Sequence, residues 1–304
     1  MECRFWQANP RHCYCLAFRP NCGIFFDIPT WMFSLKLFFE REVPKSSLRI
    51  PRPAVLPAKP ALSVSAGYKG SRIGGDYYDF LPLSDTRMLF LLTDVAGKRD
   101  EALNIAATVQ DAMRERAPEL LSDADANVSD GVTELALELN RTVMQAAGGV
   151  RPAPAFVGCL DEQFGLLHYV NAGHTPAFIR INGEITQLDS TGLPLGLFTH
   201  STHDAHVSVA QSGSSIVLVS KGLVEVSAGR QEFGVERVRR KLQEENFGSA
   251  QELCHSLLDS AVKFAEQPSA FGPQFSITGF RSSHEANDLT VVCLMRMAQA
   301  AAAA

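Results

Sequence analysis

From Leu62 onward, short apolar runs alternate with turn-forming residues. Runs at Tyr77–Leu83, Met88–Thr93, Leu166–Val170, Ala177–Ile181, Ile216–Val219 and Leu289–Met295 predict β-strands, and Asn182-Gly183 predicts a tight hairpin. Two stretches change to a helical period. Leu103, Ala106, Val109 and Met113 mark the first; Val132, Leu135, Ala136, Leu139 and Val143 mark the second, closed by Gly148-Gly149. A second helical pair is expected at about Val235–Glu245 and Ala250–Glu266, before the last strand. Strands joined mainly by tight turns, with helices in consecutive pairs, predict an α+β fold. The expected form is a layered α-β-β-α sandwich of two mainly antiparallel sheets flanked by helices.

Composition narrows the function classes. Of 304 residues, 46% are hydrophobic and 20% charged, enough for one sizeable core. A net charge of −5 with interspersed signs argues against nucleic acid and against an electrostatic membrane surface. Seven cysteines, an odd number without a secretory signal, point to a reducing, cytoplasmic setting rather than a disulfide framework. Cys3, Cys13, Cys15 and Cys22 lie near His12, but their spacing matches no familiar zinc pattern. Ile24–Glu40 is apolar yet broken by Asp27, Pro29 and Lys36, so no membrane span is expected.

The expected organisation is an irregular Cys- and Phe-rich segment (residues 1–50), a domain over residues 51–298 and an Ala-rich tail from residue 299. Pro44, Pro51, Pro53, Pro57 and Pro60 give the entry to the domain an extended character. A loop over residues 267–286, rich in Ser, Gly, Pro and Phe, is long enough to be functional or mobile.

The chemistry is expected at the first hairpin. A turn centred on Asp85 sets Asp76 opposite Asp94, each nine residues away. Facing carboxylates repel, and Asp94 ends the apolar run Met88–Leu92, so the pair calls for a cation between them. Asp94 alone reads better as the cap of the turn Val95-Ala96-Gly97. Opposite Asp76 and behind two glycines, the cation reading prevails.

Gly74-Gly75-Asp76-Tyr77-Tyr78-Asp79-Phe80 and Asp94-Val95-Ala96-Gly97-Lys98 resemble the opening signatures of SpoIIE-type phosphatases, a branch of the protein phosphatase 2C (PPM) superfamily. Asn171-Ala172-Gly173-His174-Thr175-Pro176, Gly192-Leu193-Pro194-Leu195-Gly196, Glu232–Arg237 and Asn287-Asp288-Leu289-Thr290 follow in family order. The resemblance implies one or two Mn²⁺ or Mg²⁺ ions activating a water against phosphoserine or phosphothreonine. It also implies that Asp94 bridges the ions, that Asp76 serves the first and that the Val95 carbonyl helps. The implied substrate is a phosphorylated regulatory protein such as an anti-sigma-factor antagonist.

Two positions depart from the pattern. Lys221 stands in Ser220-Lys221-Gly222 where the family carries a carboxylate, and Asn287 replaces another. An ammonium cannot ligate a hard cation, so Lys221 is expected within salt-bridge reach of Asp94 or Asp76, in the second ion's place. Asp288 can take over as ligand, although strand alternation would turn it to the opposite face. Arg99, where the family usually has Gly, either disturbs the loop beside the metals or offers a phosphate contact. His174 reads as a structural histidine, Asp79 as a support to the ligands, Tyr77 and Tyr78 as packing residues, and Cys159 and Cys293 as core. The competing function is a pseudophosphatase that binds a phosphoprotein without turnover. Residues 1–50 are too few for a sensory domain, which leaves regulation to a partner, to homodimerisation or to the long loop.

Overall fold

The computed structural model describes residues 48–70, 75–267 and 288–297. Residues 1–47, with the early cysteines and His12, lie outside the described residues. Within the unit Pro44–Ala304 the chain runs β1 (Leu62–Lys69), β2 (Asp76–Pro82), β3 (Arg87–Asp94), α1 (Arg99–Leu121) and α2 (Val128–Ala147). It continues through β4 (Ala155–Asp161), β5 (Leu166–Ala172), β6 (Ala177–Ile181), β7 (Glu184–Leu188), β8 (His206–Val209), β9 (Ser215–Val219) and α3 (Lys221–Val224). The two-residue strands β10 (Ser227–Ala228) and β11 (Gln231–Glu232) precede α4 (Gly234–Glu244), α5 (Ala250–Ala265) and β12 (Leu289–Arg296).

Two five-stranded antiparallel sheets result, ordered β1-β12-β9-β6-β7 and β2-β3-β4-β5-β8. Side-chain alternation sorts the strands into three apolar layers. Met88, Phe90 and Leu92 of β3 meet Ile216, Leu218, Val292 and Leu294 between the sheets. Leu89 and Leu91 face α1 and α2 instead, while Val217, Val219, Val291 and Cys293 face α5. Burial on both faces is why these strands read as unbroken apolar runs. The expected α-β-β-α sandwich is the observed architecture.

The helices lie where the periodicity placed them, with one adjustment. The buried stripe of α1 is Ala102, Ile105, Ala106, Val109 and Met113, and Leu103 is only half-buried. Gly148, at φ 63°, takes the left-handed conformation that ends α2, where a side chain would be strained. Arg87 closes α1. Its Nη1 donates to the carbonyls of Leu121 and Asp123, and its Nε pairs with buried Asp161 at 3.0 Å. Strands β1 and β8, both at sheet edges, carry no apolar run and are absent from the sequence expectation. No described helix is long and apolar enough to cross a membrane.

Candidate active site

Asp76 and Asp94 are register partners at the open end of the β2–β3 hairpin. Each shares the parity of residues that face the other sheet, Phe80 on β2 and Leu92 and Phe90 on β3. Both carboxylates therefore point into one end of the layer between the sheets. The chain reverses there under a tight constraint. The Val95 amide donates to the Gly75 carbonyl at 3.0 Å, and a Cβ on Gly75 would stand 1.9 Å from the Val95 carbonyl oxygen. Only glycine permits this approach.

The opposite sheet completes the floor. Thr290 faces inward with Val292 and Leu294, and its hydroxyl donates to Asp76 Oδ2 at 2.6 Å. Ser220, at the end of β9, accepts from the Thr290 amide at 3.0 Å and donates to the Asp288 carbonyl at 3.1 Å. The Ser220 amide in turn donates to the Thr290 carbonyl at 2.9 Å. Ser220 and Thr290 are fully buried.

The electrostatics follow from this burial. Desolvation pushes the Asp76 carboxyl up to about 7, with the hydrogen bond from the Thr290 hydroxyl opposing and the charges of Asp94 and Asp288 adding. Asp94 is also raised, first by burial; the charge of Lys221 opposes this and those of Asp288 and Glu225 reinforce it. Asp288 is buried, and its Oδ1 has no hydrogen-bond partner among the described residues. It has the parity of Thr290, Val292 and Leu294. The residue expected on the far face thus acts on both site carboxylates, because position 288 and not 287 continues the inward alternation of β12.

Lys221 departs from expectation. It opens α3, its side chain is 60% exposed, and its ammonium pairs with Glu225 at 3.4 Å. No salt bridge to Asp94 or Asp76 forms. A four-residue spacing within a helical turn gives the lysine a nearer, solvated partner than the buried carboxylates. Asn287 lies outside the described residues, as do Gly74 and nearly all of the loop 267–286. Arg99 is the exposed first residue of α1, just beyond the loop that follows Asp94.

The remaining candidates are structural. His174 is buried, and desolvation lowers its pKa to about 4; its backbone amide donates to Asn171 Oδ1 at 2.9 Å and its Nε2 has no partner among the described residues. An imidazole so placed stays neutral near pH 7. Asp79 faces α1, away from the site, where Arg114 donates to both its oxygens at 2.9 Å and Gln110 adds a bond at 3.0 Å. Tyr77 packs in the layer beneath α1 and α2 and Tyr78 against the layer between the sheets, and Cys159 and Cys293 are core.

The donor set suits a hard cation. Two facing carboxylates, the Val95 carbonyl nearby and an unpartnered Asp288 oxygen are all oxygen donors. Among the described residues no three Asp, Glu, His or Cys side chains are gathered as a ready-made cluster. The arrangement therefore offers one open oxygen site. Lys221 itself brings no anionic oxygen to it, and Glu225 is the acid paired with that lysine.

Comparison with known proteins gives a consistent picture. A family model described as Stage II sporulation protein E (SpoIIE) matches residues 84–270. The phosphoserine phosphatase RsbU of Bacillus subtilis (strain 168) is 27% identical over 220 residues, covering 69% of this chain and 61% of RsbU. The chain thus spans less than two thirds of that relative. The solved RsbU and RsbW domains of Rv1364c from Mycobacterium tuberculosis align with a TM-score of 0.59 at 22% identity, over 80% of this chain and 62% of that one. The PP2C phosphatase domain of SpoIIE from Bacillus subtilis, with a fragment of its regulatory domain, aligns at 0.58 and 15% identity, over 78% and 64%. At these identities the structures speak to the fold.

Proposed function

This chain belongs to the SpoIIE family of PP2C-type phosphatases, and from that premise we propose that it hydrolyses phosphoserine or phosphothreonine on a regulatory protein with the help of Mn²⁺ or Mg²⁺. The family is metal-dependent. The observation that carries the reading is the pairing of Asp76 with Asp94 at one end of the layer between the sheets, with Asp76 raised to about 7 and the charge of Asp288 acting on both. Carboxylates buried together are stabilised most directly by a divalent cation. Asp76, Asp94 and Asp288, with the Val95 carbonyl, would hold it. When bound, such an ion lowers the pKa of a coordinated water and neutralises phosphoryl charge.

The protein's own residues supply the rest. The β2–β3 register sets the two carboxylates opposite one another, and the apolar layer behind them keeps bulk water to one side. Lys221, exposed and close enough for its charge to act on Asp94, adds positive charge to the approach, which suits a phosphate dianion, and exposed Arg99 at the start of α1 is the candidate phosphate contact. His174 takes no part in proton transfer because it is buried and neutral. The implied substrate, a phosphorylated anti-sigma-factor antagonist of a partner-switching system, is drawn from likeness to proteins such as RsbU. A cytoplasmic location follows from the same reading.

One observation favours a second reading. Lys221 contributes no anionic oxygen where a second ion would need one, which suits a pseudophosphatase that recognises a phosphoprotein without turnover. Calorimetric titration of Mn²⁺ and Mg²⁺ into the EDTA-stripped full chain, with hydrolysis of a phosphoserine peptide, separates the two. The enzyme reading expects metal-dependent hydrolysis that Asp94→Asn and Asp76→Asn abolish. Phosphopeptide binding with no hydrolysis at millimolar Mn²⁺ would establish the second reading instead.

A further inference from the structure

Thr290 belongs to the sheet β1-β12-β9-β6-β7, and Asp76 to the sheet that packs against it. The hydroxyl of Thr290 nevertheless donates to Asp76 Oδ2 at 2.6 Å, joining residues 214 positions apart in sequence. A threonine hydroxyl has a single proton, and this contact commits it. Ser220 prevents Thr290 from drifting. Its Oγ accepts from the Thr290 amide, its own amide donates to the Thr290 carbonyl, and its hydroxyl proton goes to the Asp288 carbonyl. All members of this relay lie at the floor of the candidate site, and Ser220 and Thr290 are wholly shielded from solvent.

We propose that Thr290, fixed by Ser220, is a positioning residue that ties down one oxygen of Asp76 and leaves the other as the oxygen offered to a divalent cation. A carboxylate on a free side chain turns about its last bond and presents either oxygen, or both. With Oδ2 held from the facing sheet, Asp76 arrives pre-oriented, and the ordering cost of binding falls. The relay also gives Ser220 a task beside Lys221. The Ser220-Lys221-Gly222 turn acts on the site through its buried serine, while its lysine faces solvent.

The inference rests on the cation reading above, and the experiment keeps the two separable. Mn²⁺ is titrated calorimetrically into the EDTA-stripped full chain as wild type, Thr290→Val, Thr290→Ser and Ser220→Ala. Thr290→Val retains the shape and removes the hydroxyl; its Kd for Mn²⁺ is expected to rise about 10–100-fold. Thr290→Ser restores the donor and should return to within about threefold of wild type by the same logic. A merely structural contact would predict the opposite pattern: Thr290→Val lowers the urea midpoint while its Kd stays at the wild-type value, which overturns the inference. Should Thr290→Val fail to fold, Ser220→Ala decides. It leaves the Thr290 hydroxyl and the Ser220 backbone bond in place but removes the Oγ that accepts from the Thr290 amide, so a weaker Kd supports the relay and an unchanged Kd overturns it. Wild-type chain that takes up no Mn²⁺ overturns the cation reading and the inference with it, whereas wild-type uptake matched by Thr290→Val overturns the inference alone.

Discussion

Asp76 carries the most consequential electrostatics in the molecule. Its carboxyl is raised from an ordinary 3.8 to about 7, chiefly by burial. An acid with a raised folded pKa binds its proton more tightly when folded. The stability this contributes is complete below pH 4 and is lost as pH rises through the folded value. Metal-free protein in EDTA should therefore lose stability between about pH 4 and pH 7, at up to about 1.4 kcal/mol per pH unit. Asp94, raised as well, works in the same direction. Urea midpoints across that range, with and without Mn²⁺, check this, and the cation should flatten the profile. Lys221 predicts a null effect on stability. Its exposed pair with Glu225 is of the kind worth about 0–1 kcal/mol, so Lys221→Ala should shift the midpoint by less than that. Its chemical cost is a missing ligand. Lys221→Asp combined with Asn287→Asp should add a second Mn²⁺ equivalent by calorimetry and raise phosphopeptide hydrolysis. Either change alone should do little, because both ligands serve one ion.

Between elements, the decisive contacts are those that fix helices onto strands. Asp79 on β2 is fully buried and takes a two-pronged guanidinium from Arg114 on α1. Gln110, one turn earlier, donates to the same carboxylate and also ties the Arg52 backbone to α1. Arg114→Met keeps the apolar stem and strands the Asp79 charge in the core. A loss of about 3 kcal/mol is expected, near the lower end for breaking a buried pair, because Gln110 remains. Equilibrium urea unfolding at constant m-value measures it. The site should feel this change weakly, since Asp79 faces the helices and Asp76 faces the other sheet. An unchanged Mn²⁺ affinity in Arg114→Met would mark Asp79 as an anchor of α1 rather than a support for the ligands.

Across the whole molecule, three apolar layers share two sheets, so no layer can loosen alone. Phe156 stacks between Phe90 and Tyr169 at centroid distances of 6.0 and 5.3 Å, in the layer between the sheets. Phe156→Ala should cost about 3–5 kcal/mol. Loss of near- and far-ultraviolet circular dichroism should coincide on heating, as a cooperative sandwich requires. Separate transitions would show that the two sheets unfold independently.

What the sequence by itself determined is local or periodic. The Asp76–Asp94 register follows from a turn at Asp85 and counting, and the layers follow from alternation along doubly buried strands. The edge strands β1 and β8 escaped notice because half-exposed positions leave no apolar run. The direction of Lys221 was equally hidden, although Glu225 four residues on was its legible partner once α3 was seen as a helical turn. Only the tertiary structure decided the floor of the site. Thr290 and Ser220 meet Asp76 across two sheets, and no local pattern encodes a hydrogen bond spanning 214 residues. Asp288 turned inward for the same reason: packing of β12 against the opposite sheet, and not its neighbours in sequence, chose its face.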